Sequence, residues 1–195
     1  MKVGVVFVKC QPLHKGEMFL MNKALEIVDE LIIIVTSVEN SRTLDNPFLM
    51  KEVSSLLKKY IGKKRIRNII GVGDMLYDED HWLMQANAII LDNLFKNDKE
   101  VYIFGHKNDE NDFYDMFDFD FIYVFGSECE SKDDILYEYF KNSKISDEVV
   151  DKKLLEDWNA KKKLFGDEEY KFKVRDKIIS IKTHSESLSH LQIPK

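Results

Sequence analysis

Proline and cysteine are scarce in this chain of 195 residues, which holds three of the first and two of the second. Three prolines and eight glycines form no Pro/Gly-rich linker, so composition gives no ground for two comparable domains. The two cysteines, Cys10 and Cys129, follow no metal-ligand spacing. They read as reduced, partly buried thiols of a cytoplasmic protein, and zinc is not supported. No apolar run approaches the ~18 residues of a membrane span. Met1-Lys2-Val3-Gly4 leads straight into a strand-like run, which speaks against a signal peptide. An excess of basic charge is also missing. With 29 Lys and Arg against 35 Asp and Glu, the net charge of −6 excludes a general nucleic-acid surface, which needs a basic face. It does not exclude a nucleotide substrate, because a local cradle of amides and a few cations suffices.

What is present is an alternation of apolar runs with helical patterns, in a chain 44% hydrophobic and 33% charged. Val3–Val8 and Leu31–Thr36 are near-continuous Val/Ile/Phe runs, as expected of strands buried on both faces. Arg65–Gly71, Val101–Gly105 and Phe121–Phe125 are the next three strands. Between them, Glu17–Glu30 carries Leu20, Ala24, Ile27 and Val28 on one helical face, and Phe48–Tyr60 carries Val53, Leu56, Leu57 and Tyr60. Trp82–Phe95 repeats the pattern with Ala86, Ile89, Ile90 and Leu94. Such an order predicts an α/β fold, a Rossmann-like, doubly wound, five-stranded parallel sheet with right-handed crossovers. Ligands of such sheets sit outside the carboxyl ends of the strands, where the strand order switches.

Beyond about residue 130 the pattern becomes helical. Ser131–Asn142 places Ile135, Leu136, Tyr139 and Phe140 together, and Asp147–Phe165 does the same with Val150, Leu154, Leu155 and Trp158. The expected organisation is one domain over 1–165 with C-terminal helices, then an extension over 166–195. That extension has a short apolar Ile178-Ile179 segment and a frayed Ser/His-rich end.

Three loops at the expected carboxyl edge carry the chemistry-bearing residues. The first runs Lys9-Cys10-Gln11-Pro12-Leu13-His14-Lys15-Gly16-Glu17. Gly16 at a helix start lets backbone amides approach phosphates, helped by the positive end of the helix dipole, while His14 and Lys15 add charge or donors. A His-Lys-Gly turn that only opens a helix is the plainer account. The second loop, Ser37 to Phe48, is long and polar for an α/β connection, a usual sign of function. Its plainer account is Asp45 or Asn46 capping a helix with Pro47 at the first position. The third, Gly105-His106-Lys107 onwards, is either a solvated acidic turn or a functional one.

Together these segments resemble the nicotinamide-mononucleotide adenylyltransferases of the archaeal type and of the bacterial type fused to a Nudix hydrolase. Gln11, Pro12, His14 and Gly16 match the family's G-R-F-Q-P-F-H-x-G-H loop, and Asn46-Pro47-Phe48 match its N-P-F, with Ser37 and Arg42 in register. Tyr77 and Trp82 match the ends of a segment like Y-N-x-x-x-W, with Asp78 in place of the asparagine, and the family's tryptophan packs near the nicotinamide. Gly105, His106, Asp109 and Tyr114 match G-H-x-K-D-x-S-S-Y-Y, with Phe113 replacing the first tyrosine. The resemblance covers roughly residues 1 to 165 and leaves no room for a Nudix domain.

It implies adenylyl transfer from ATP to nicotinamide mononucleotide with Mg²⁺, giving NAD and pyrophosphate, with His14 and Lys15 catalytic. Lys9, Gln11, Pro12, His14, Gly16, Glu17, Gly105, His106 and Ser131 would then hold ATP. Ser37, Arg42, Asn46, Phe48, Trp82, Asp109 and Tyr114 would hold the mononucleotide. No protein residue is assigned as a metal ligand, neither nucleic acid nor membrane is a partner, and a homo-oligomer is expected from the family's habit.

The departures gather on the phosphate side. Val8-Lys9-Cys10 stands for Gly-Arg-Phe, Glu17 for the second histidine of H-x-G-H, and Leu136 for the arginine of the late S-x-T-x-I-R signature, which aligns with Ser131 to Leu136. These changes imply reduced turnover. They also keep two alternatives open: an inactive NAD- or mononucleotide-binding module, and nucleotidyl transfer to another phosphorylated acceptor.

Overall fold

The runs Val3–Val8 and Leu31–Val35 are apolar and buried almost throughout, as strands covered on both faces of a parallel sheet are. In the computed structural model of the chain the described residues are 1–41, 43, 46–74, 78–106, 116–125, 135, 136, 150, 152–162, 169–174 and 177–182. The strands are β1 (Lys2–Val8), β2 (Glu30–Thr36), β3 (Ile66–Val72), β4 (Glu100–His106) and β5 (Asp120–Val124), in the order β3-β2-β1-β4-β5. Every neighbouring pair is parallel. The predicted Rossmann-like sheet is therefore the observed one, with each strand end within a residue of its expected place.

Alternation along the strands sorts the side chains into two cores. Val6, Val8, Leu31, Ile33, Val35 and Phe104 face one side, where they meet α1 (Lys15–Ala24) through Leu20, Met21 and Ala24, and α2 (Met50–Leu57) through Val53, Leu56 and Leu57. Val3, Val5, Ile32, Ile34, Val72 and Ile103 face the other, against Ala86 and Ile90 of α3 (Glu79–Asp92). Right-handed crossovers dictate this division. Moving outward from β1 to β2 and β3 puts both helices on one face, and returning to β4 puts α3 on the opposite one. Close packing extends to β1 itself, where a Cβ on Gly4 would stand 2.7 Å from a Leu31 methyl and 2.9 Å from Val28.

The first core continues into the C-terminal part. Ile135, Leu136 and Val150 are buried in it, as are Leu154 and Trp158 of α4 (Lys152–Lys162). Asp157 of α4 ties down to Lys59 and to the Tyr60 hydroxyl, both in the π turn Lys58–Gly62 that follows α2. The amino edge of the sheet is fastened by Arg67. Its guanidinium, 5% exposed, pairs with Asp98 and Glu30, donates to the Asn93 carbonyl and lies 4.7 Å from the Phe95 ring centroid.

Several expectations need correction. The first helix stops at Ala24 instead of reaching Glu30, and Ile27 is exposed while Met21 takes its place in the core. The chain must turn there to enter β2 beside β1, with Asp29 accepting from the Lys2 amide. Helix α2 starts at Met50, so Asn46 and Pro47 neither cap it nor open it. The capping carboxylate is that of Glu52, which accepts from the Leu49 amide at 2.9 Å. The extension is more than a tail with one apolar segment: Glu169–Val174 (β6) and Lys177–Lys182 (β7) form an antiparallel hairpin. The frayed end expected after it, Tyr139, Phe140 and Cys129 lie outside the described residues.

Candidate active site

Strand order switches between β1 and β4, so the crevice expected for a ligand lies between the loops that leave these two strands. From β1 the chain passes exposed Lys9 and buried Cys10, crosses a cis Gln11–Pro12 peptide and enters α1 with His14 at the N-cap. Gly16 is buried in the first helical turn. Gly105 and His106 end β4 alongside, Gly105 buried and His106 half-buried. The structure thus brings Lys9, His14, Lys15, Gly16, Glu17, Gly105 and His106 to one edge of two paired strands. The His14 side chain makes no capping bond, so no side-chain cap occupies the positive end of α1.

Glu17 is the hub of the first loop. One carboxylate oxygen, Oε1, accepts from the Cys10 amide at 2.7 Å. The other, Oε2, stands 3.1 Å from His14 Nδ1. Nδ1 is also 3.1 Å from the Pro12 carbonyl. The carbonyl takes the directed hydrogen bond, because buried Oε2 has no aligned donor, and the carboxylate acts on the ring by charge. Burial of His14 opposes its ionisation most strongly, yet the Glu17 carboxylate and the Pro12 carbonyl outweigh it, so its pKa is raised above 6.5. Burial, followed by the same carboxylate, pushes the Cys10 thiol well up, keeping it neutral.

Cys10 and Ser37, just past the ends of neighbouring strands, are non-glycine residues in the left-handed region, at φ 50° and 60°. Such backbone costs on the order of 1–3 kcal/mol and persists where surrounding contacts over-determine it. At Cys10 the Glu17 bond supplies that constraint. Near Ser37, Glu39 bridges to the next loop by accepting from the Asp74 amide at 2.8 Å.

Two residues assigned to ligands are occupied internally. The Gln11 side chain, 1% exposed, donates to the Phe48 carbonyl and accepts from the Phe48 amide, both at 2.8 Å. Its amide therefore joins the first two loops. The Phe48 ring is fully buried, 6.5 Å from the Trp158 ring, and is core. Pro12, also buried, shapes the turn and lends its carbonyl to His14. Val8 and Leu136, read from sequence as changes facing phosphate, are both in the hydrophobic core.

Of the residues expected to hold the mononucleotide, Ser37 and Asn46 are buried, and Ser37 Oγ and Asn46 Oδ1 have no hydrogen-bond partner among the described residues. Trp82, half-buried in the first turns of α3, has its ring 5.8 Å from that of Phe7, and Phe7 is 5.2 Å from Phe117. Asp78 caps α3 by accepting from the His81 amide. Phe7 and Phe117 escaped the sequence reading because Phe7 sits in a strand core pattern and Phe117 in an unpatterned loop. Arg42, Tyr77, Asp109, Phe113, Tyr114 and Ser131 lie outside the described residues. Among those described, no three His, Cys, Asp or Glu side chains are grouped to hold a metal, and no helix is long and apolar enough to cross a membrane.

No protein-family profile matches the chain. A nicotinamide-nucleotide adenylyltransferase of Methanococcus vannielii is 38% identical over 66 residues, which is 33% of this chain and 38% of that protein. A nicotinamide/nicotinic acid mononucleotide adenylyltransferase of Acinetobacter baylyi is 28% identical over 116 residues, 56% of this chain and 59% of the relative. The matches thus span less than two thirds of either relative. Among solved structures, a bifunctional NMN adenylyltransferase/ADP ribose pyrophosphatase from Francisella tularensis superposes with a TM-score of 0.68 at 22% identity, covering 76% of this chain and 44% of that one. The same protein has also been solved with AMP and a manganese ion. In sequence over part of its length, the chain is related to nicotinamide-nucleotide adenylyltransferases, and it has the fold of an NMN adenylyltransferase.

Proposed function

We propose that the chain transfers the adenylyl group of ATP to nicotinamide mononucleotide, forming NAD and releasing pyrophosphate. The observation that carries this reading is the meeting of the α1 amino end, His14 and the ends of β1 and β4 at the switch point. Sequence kinship with the curated relatives supports the acceptor. In the reaction the 5′-phosphate of the mononucleotide attacks the α-phosphorus of ATP in line, and the bond to the β-phosphate oxygen breaks. No protein nucleophile is needed, so the work is positioning and charge stabilisation. The first-turn amides of α1, with Lys15 and Lys9, face charge developing on pyrophosphate. Trp82 offers an aromatic surface for the nicotinamide ring, and Ser37 and Asn46, in the loop after β2, offer buried polar atoms without hydrogen-bond partners among the described residues. Mg²⁺ enters with ATP as part of the substrate, a reading supported by the manganese ion solved beside AMP in the Francisella tularensis protein. Free, buried Cys10 fits a reducing, cytoplasmic setting.

The test is incubation of the purified chain with ATP, Mg²⁺ and nicotinamide mononucleotide. Equimolar NAD and pyrophosphate are expected, and no turnover above background with Mg²⁺ or Mn²⁺ overturns the reading. A binding module without turnover is the second reading. It is favoured by Leu136, whose buried side chain supplies no cation where the family has arginine. Under it, mononucleotide or NAD raises the melting temperature and no pyrophosphate appears.

A further inference from the structure

We propose that Glu17 is a positioning residue that turns His14 into a cationic phosphate donor, replacing with one charged pair the two histidines of the family's motif. The inference rests on the reading of this loop as the ATP-phosphate site.

His14 Nδ1 faces only acceptors, the Pro12 carbonyl and Glu17 Oε2, each at 3.1 Å, so Nδ1 carries a proton. In a neutral ring with its proton on Nδ1, Nε2 has a lone pair and no hydrogen. Such a nitrogen repels a phosphate oxygen. Nε2 becomes a donor only when the ring is doubly protonated, and a ring 12% exposed in a buried turn loses charge by desolvation unless an anion faces it. Glu17 is that anion, and it sits on the same helix three residues away, a spacing that keeps the two side chains on one face.

The surroundings leave Glu17 this role. Among the described residues the charged group facing His14 is Glu17, and Cys10, on the other side of that carboxylate, is a neutral thiol. The raised pKa of His14 agrees with the geometry. A lone glutamate at this position would repel a triphosphate. Paired with imidazolium it adds no net charge, and Oε1 stays engaged with the Cys10 amide at 2.7 Å. The glutamate is thus compatible with phosphate binding because the histidine three residues earlier is retained.

Glu17→Gln separates this role from a structural one, since its amide oxygen still accepts from the Cys10 amide while the charge is gone. Two measurements suffice. In the full chain without nucleotide, ¹⁵N chemical shifts of the His14 ring followed against pH are expected to titrate above the ordinary ~6.5. Titration at or below that value in the unsubstituted protein overturns the proposal, whatever the variant does. Calorimetric binding of Mg-ATP at pH 7.5 is expected to weaken about tenfold in Glu17→Gln, the loss of one charge-assisted donor. Lowering the pH to 6 is expected to narrow that deficit, because acid protonates part of the ring population without the carboxylate's help, although burial opposes the charge. Equal affinity of both proteins at pH 7.5, the same deficit at both pH values, or no ATP binding by either protein each overturns it. NAD formation is scored separately. If ATP binding and the ring titration behave as described and no NAD appears, the proposal about Glu17 stands and the adenylyl-transfer reading falls.

Discussion

Gln11 and Phe48, 37 residues apart, exchange two hydrogen bonds of 2.8 Å, the side-chain amide of one pairing with the backbone of the other as a neighbouring strand would. This clasp binds the loop after β1 to the loop after β2. Both groups are buried, so neither bond competes with water. The arrangement explains why the motif residues Q-P and N-P-F occur together: one loop is the scaffold of the other.

Gln11→Leu is expected to lose about 2–4 kcal/mol of stability, because it leaves a buried amide and a buried carbonyl of Phe48 without partners. Urea denaturation checks this. If Gln11 instead contacted ATP directly, the variant would lose ATP affinity at unchanged stability.

Arg67→Met tests the opposite edge of the sheet. Removing one partner from a buried ion pair costs about 3–5 kcal/mol, and here Asp98, 3% exposed, would be left facing Glu30 without the guanidinium. A lowered urea midpoint is expected, with KM for both nucleotides unchanged, since Arg67 is the second residue of β3, at the amino edge, while the candidate site lies at the carboxyl edge.

The Glu17–His14 pair has a pH signature in stability as well as in binding. The folded pKa of His14 is raised, so the pair's contribution is fully present below the unfolded value near 6.5 and is lost as pH rises through the folded value. The stability difference between the unsubstituted chain and Glu17→Gln, read from denaturation at a series of pH values, is therefore expected to be largest near pH 6 and to shrink in alkali. A difference that grows with pH would contradict the assigned pairing.

Trp82→Ala is expected to raise KM for the mononucleotide about tenfold or more, since aromatic stacking on a base is worth about 1–3 kcal/mol. KM for ATP should stay the same. Initial-rate kinetics in the two substrates decide it, and an unchanged mononucleotide KM would remove the nicotinamide assignment from Trp82.

The parallel sheet was legible because fully buried strands leave an unbroken Val/Ile signature, as at Leu31–Val35, all of it inaccessible to solvent. The helices were legible less sharply. Their ends depend on where the chain must turn into the next strand, which is why α1 stops at Ala24 although the apolar periodicity runs on to Val28. The β6–β7 hairpin had a signal too, in the alternation of Tyr170, Phe172 and Val174 with lysines, and was missed beside the more obvious Ile178-Ile179.

Sequence by itself determined the fold class and the partial kinship with nicotinamide-nucleotide adenylyltransferases, and it pointed to the carboxyl edge of the sheet as the candidate site. These follow from periodicity and from residue types at strand ends, which are local properties. Only the tertiary structure decided what each side chain faces. That Gln11 meets Phe48, that Val8 and Leu136 meet the core, and that Glu17 meets His14 depended on which surfaces the crossovers brought together. A carboxylate has the same formula in all of these settings, and its chemistry is set by the neighbours that folding supplies.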